Sequence, residues 1–62
     1  MMYMVRFVRR DGKPDEEYYY NTQDHAASHF SLFYNDDSGL YKTILLLAYE
    51  EKMIKTIAQY NF

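Results

Sequence analysis

The chain has 62 residues, a formal net charge of −2 and no cysteine, which leaves room for a single domain, residues 1–62, and excludes both a disulfide framework and a thiolate metal site. Eight Tyr and four Phe must supply much of the core, since a domain of this size buries only about 60% of its unfolded surface. The longest apolar run, Ile44 to Tyr49, is six residues, far below the about 20 of a membrane-spanning helix, and Arg6 interrupts the N-terminus before a signal peptide could form; a cytoplasmic location and no membrane partner are expected.

Residues 3 to 20 read as a hairpin, because Asp11-Gly12 supplies the positive φ angles of a two-residue type I′ turn. That turn sets Val5 opposite Tyr18, Tyr3 opposite Tyr20 and Arg6 opposite Glu17. One face then collects Tyr3, Val5, Phe7, Tyr18 and Tyr20, and the other carries Met4, Arg6, Val8, Glu17 and Tyr19. Pro14 cannot donate to a ladder, so the second strand belongs at an edge. Asn21 or Thr22 is a suitable N-cap for a helix from about Gln23 to Tyr34, with Asp24 favouring its first turn. Ala26, Ala27, Phe30, Phe33 and Tyr34 form its apolar face. Asn35-Asp36-Asp37-Ser38-Gly39 ends it as a turn, too short for a calcium-binding EF-hand loop.

The last third supports two readings. Leu46, Tyr49, Met53, Ile57 and Tyr60 recur at helical spacing, which would give ββαα. Thr43, Ile44, Ile54, Thr56, Ile57 and Tyr60 favour strands, however, and Glu50-Glu51-Lys52 breaks the apolar pattern where a hairpin loop would fall. The expected fold is therefore α+β, a ββαββ chain forming a four-stranded antiparallel sheet in the order 2-1-3-4. Charged strands lie at its edges and one helix covers one face.

His29-Phe30-Ser31-Leu32-Phe33, Asp36-Asp37-Ser38-Gly39-Leu40-Tyr41-Lys42, and then Ile44 and Leu46 make up a pattern over about the last half of the chain. It resembles small uncharacterised proteins carried on conjugative or other mobile elements of Gram-positive bacteria. The resemblance implies a context and supplies no site residues.

Catalytic chemistry finds few candidates. His25 and His29 have the i, i+4 spacing that can share a metal, but two further ligands are missing and an exposed polar face is the better reading. The acids Asp15-Glu16-Glu17 and Glu50-Glu51 lack a pocket to separate their pKa values, and Ser28 beside His29 is mere adjacency. There is no glycine-rich phosphate loop and no nucleophile elbow. No enzyme activity and no cofactor are expected.

The third strand is the most informative segment, because Tyr41 to Tyr49 is apolar on both faces and one helix can cover only one. If Ile44, Leu46 and Ala48 meet the helix, then Leu45, Leu47 and Tyr49 join Met4, Val8 and Tyr19 on an open face flanked by Arg6. Such a patch suits an accessory module that binds a protein partner or pairs weakly with its own copy. The alternative is that tyrosine rings and the stems of Arg6 and Lys55 shield the leucines. A second class is single-stranded nucleic-acid binding through Arg6, Arg9, Arg10, Lys13 and Tyr19, although Asp11, Asp15, Glu16 and Glu17 cancel much of that field.

Overall fold

The computed structural model describes residues 1–62, in which β1 (Met2–Arg9), β2 (Glu16–Tyr20), α1 (Gln23–Ser31), β3 (Tyr41–Glu50) and β4 (Met53–Asn61) follow in that order. The strands form one antiparallel sheet, ordered β2-β1-β3-β4. This is the ββαββ arrangement, and the segment from Ile44 to Ile57 is a hairpin rather than a helix.

The β1–β2 register is the one the sequence implies, with Tyr3 opposite Tyr20, Val5 opposite Tyr18 and Arg6 opposite Glu17. The turn is different. Gly12 has a φ of 79°, but Asp11 is not in the positive-φ region, so the two-residue type I′ turn does not form. The ladder stops at Phe7–Glu16, and the connection is wider because its residues have other partners. Arg9 reaches down to both Asp11 and Glu16, while the Arg10 N–H donates to the Leu40 carbonyl at 2.9 Å.

Thr22 is the N-cap, in extended conformation, and its Oγ1 accepts the His25 N–H at 3.3 Å. The helix ends at Ser31, three residues short of Tyr34. Beyond it the N–H groups of Leu32, Phe33 and Asp36 donate to carbonyls three residues back, a tighter winding that still delivers the aromatic side chains. Phe33 packs edge-on to Phe7 at 4.7 Å, and Tyr34 meets Tyr60 at 5.2 Å. Gly39, at φ 76°, takes the left-handed conformation that lets the chain turn into β3.

Val5, Phe7, Ala26, Phe30, Ile44 and Leu46 form the core between α1 and the sheet, ringed by partly buried aromatics. Phe7 is its centre, with the rings of Tyr18, His29, Phe33 and Tyr41 at 5.7, 5.3, 4.7 and 5.0 Å. The helix packs on β1, β2 and β3 and does not reach β4.

A bulge in β4 completes the layout. Glu50 to Leu47 pair with Met53 to Thr56, but Leu46 pairs with Ala58, which leaves Ile57 without an opposite residue. Absorbing one residue reverses the alternation. Ala58 and Tyr60 consequently face the helix side and join the core rim. Lys55 pairs with Ala48, on the helix side of the sheet, so its stem does not shield the open face.

Candidate functional site

On the open face the cross-strand pairs form rows. One runs Glu17–Arg6–Leu45–Gln59, the next Tyr19–Met4–Leu47–Thr56, and the last Met2–Tyr49–Ile54. The face is therefore polar towards the β1–β2 connection and apolar towards the β3–β4 turn. Leu45, Leu47 and Tyr49 share it with Met4, Arg6, Val8 and Tyr19, as the strand alternation requires.

These residues do not lie at one depth. Met4 is fully buried and Leu47 is 4% exposed, although no second layer covers them. Tyr49 makes the cover, with its hydroxyl donating to Met4 Sδ at 3.7 Å and its ring 6.5 Å from that of Tyr19. Arg6 shares this face, anchored to Glu17 at 2.8 Å. Met4 and Leu47 are thus the floor of the patch, and Leu45 and Val8 are half-buried. The solvent-facing apolar groups are Tyr19, Ile54 and Met2, at 55%, 62% and 43% exposure.

Met2 and Ile54 were not among the residues expected on this surface. The signal for Ile54 is the β3–β4 turn: placing Glu51-Lys52 at its tip puts Tyr49 opposite Ile54, as observed. Met2 follows from extending β1 by one residue below Tyr3.

The basic residues are dispersed. Arg6 is on the open face, whereas Arg9 turns to the helix side, where it holds Asp11 at 2.7 Å and Glu16 at 2.6 Å. The Arg9 guanidinium keeps both carboxyls below the usual carboxylate range. Glu16 also accepts from the hydroxyls of Tyr18 and Tyr41, and both phenols are shifted up, Tyr18 chiefly by that bond and Tyr41 chiefly by burial. Arg10 instead donates to the carbonyls of Tyr41 and Phe62 at 2.9 and 3.1 Å. Lys13 makes no ion pair. Three arginines thus spend their donors on the protein itself, and no cationic track crosses the sheet.

His25 and His29 do not form an exposed polar face. His29 is half-buried among Phe7, Tyr18, Tyr20 and Phe33, and its Nδ1 shares a 2.6 Å hydrogen bond with the Tyr20 hydroxyl. The helix is rotated to present Ala26 and Phe30 to the sheet, and His29, one position from Phe30, is carried into the gap over β2. No three His, Cys, Asp or Glu side chains converge to hold a metal ion.

No helix is long and apolar enough to cross a membrane. No protein-family model, no curated protein and no solved structure matches this chain.

Proposed function

We propose that this chain is a non-enzymatic interaction module that docks a protein partner on the open face of its sheet, through Tyr19, Tyr49, Ile54 and Met2 over the Met4–Leu47 floor. One observation carries the reading: an apolar-aromatic patch stands in solvent on a face that the helix leaves bare. The molecule measures 33 × 21 × 15 Å, so even its broadest outline is smaller than the about 800 Å² per partner of a standard interface. The apolar half alone is smaller, which fits weak or transient docking. The resemblance to mobile-element proteins would make this an accessory role in such a system, in the cytoplasm.

Nucleic-acid binding is the competing class, and the internal pairing of Arg6, Arg9 and Arg10 weighs against it. The test uses Tyr19→Lys, which removes an exposed ring and adds a cation while leaving Tyr49 over the Met4–Leu47 floor. Partner proteins retained by immobilised wild type should be lost by this variant, and a dT₁₀ oligonucleotide should not bind either form. Oligonucleotide binding that strengthens in Tyr19→Lys and collapses with added salt would overturn the protein-docking reading.

A further inference from the structure

We infer that β4 is a strand-pairing edge, and that two copies of this chain join there antiparallel about Ile54 into one continuous eight-stranded sheet. The two sheet edges differ. β2 has five residues, follows Pro14 and carries Glu16 and Glu17, which are features that discourage pairing. β4 has no proline and one charge, Lys55, and the segment Met53–Thr56 before its bulge presents outward N–H and C=O groups that have no strand partner. Every residue from Met53 to Ile57 is exposed.

The register follows from geometry. A two-fold axis perpendicular to the sheet keeps both helices on one side, so paired residues must point to the same face and the axis must pass through a residue. The unpaired Ile57 distorts the strand and excludes the centre there. Centring on Lys55 would set two ammonium groups against each other. Centring on Thr56 would run the pairing across the bulge, and centring on Met53 would pair the turn residues. Centring on Ile54 sets Ile54 against its own copy and Met53 against Lys55.

The Ile54 centre also explains an interrupted feature of the open face. The row Met2–Tyr49–Ile54 ends at the sheet edge on an isoleucine that is 62% exposed. In the dimer it continues as Ile54–Tyr49–Met2 of the second copy, one apolar row across six strands. Strand addition at this edge requires nothing of what docks on the open face, although it would double that face.

Sedimentation equilibrium of the full chain tests the pairing, and wild type is expected to show a reversible dimer by about 1 mM. Ile54→Lys, at an exposed position, should keep the wild-type melting curve and weaken the dimer roughly tenfold or more. The chain has no cysteine, so Ile54→Cys provides a second measurement independent of affinity. It should oxidise to a covalent dimer faster than Gln59→Cys, because only the former faces its own copy within disulfide reach. A wild type that is monomeric at that concentration, a dimer that survives Ile54→Lys, or equal oxidation of the two cysteine variants would each overturn the inference. A dimer lost with Tyr19→Lys but kept with Ile54→Lys would assign self-association to the open face instead.

Discussion

Replacing Met4 by Ala tests whether the sheet face without a helix is nevertheless part of the core. Met4 is fully buried, opposite Leu47 and beneath the Tyr49 hydroxyl. Truncating a buried Met costs about 2–5 kcal/mol, depending on how far the site collapses. Tyr19 and Tyr49 stand at the solvent boundary and can settle into the vacated volume, which places the expected loss at about 2–3 kcal/mol. A 62-residue chain has a total stability of about 3–9 kcal/mol at typical per-residue values, so this one truncation removes a large share. Met2, 43% exposed on the same face, is the control, with an expected cost under about 1 kcal/mol. Urea unfolding followed by circular dichroism, with equal slopes in the three proteins, reads the difference directly. Equal midpoints for Met4→Ala and Met2→Ala would refute the two-tyrosine cover, and the whole face would then be solvated surface.

Other consequences can be read from single substitutions. Glu51 has a φ of 43°, so Glu51→Gly should relieve left-handed strain and stabilise the hairpin by about 1 kcal/mol in a thermal melt. Burial holds the His29 pKa below its ordinary 6.5, so the unfolded chain takes up that proton first. Stability should therefore fall as pH drops through 6.5 and level off below the folded-state value; His29→Phe, which suits the surrounding rings, should abolish that part of the slope. Arg10→Ala removes two bonds that tie the first connection to the carbonyls of Tyr41 and Phe62, at an expected cost of about 1 kcal/mol. Lys13→Ala should stay within about 0.5 kcal/mol of wild type.

Much of this fold was legible because alternation and turn residues constrain each other. Val5, Phe7, Ile44 and Leu46 read as one apolar face from parity alone, and Arg6–Glu17 followed from the hairpin register. The bulge at Ile57 was not legible. No Gly marks it, and it is favoured by tertiary packing: without it Tyr60 would point to the open face instead of to Tyr34 and Phe62. The depth of Met4 was missed for a related reason. Parity assigns a residue to a face, but the tyrosines on the two flanking strands, Tyr19 on β2 and Tyr49 on β3, decide whether that residue is wet. His29 was misread because a nine-residue helix over three strands has no fully solvated flank on its β2 side.

The division of the open face into a polar and an apolar half follows from where the charges are already satisfied. Arg6 is held by Glu17 through two hydrogen bonds at 3.1 and 2.8 Å, and at that end a partner would have to replace a formed ion pair with one of its own, which brings little net gain at a surface. At the other end Tyr19, Tyr49 and Ile54 have no polar partner to lose except the weak Tyr49–Met4 contact. Covering them removes apolar area from water at about 25 cal/mol per Å². Affinity should therefore be concentrated in the Tyr19–Tyr49–Ile54 half, with the Arg6–Glu17 half setting orientation. Of these three only Ile54 lies on β4, and its side chain stays on the open face when a second copy pairs along that edge, so strand addition extends this half rather than competing with a partner that lies across it.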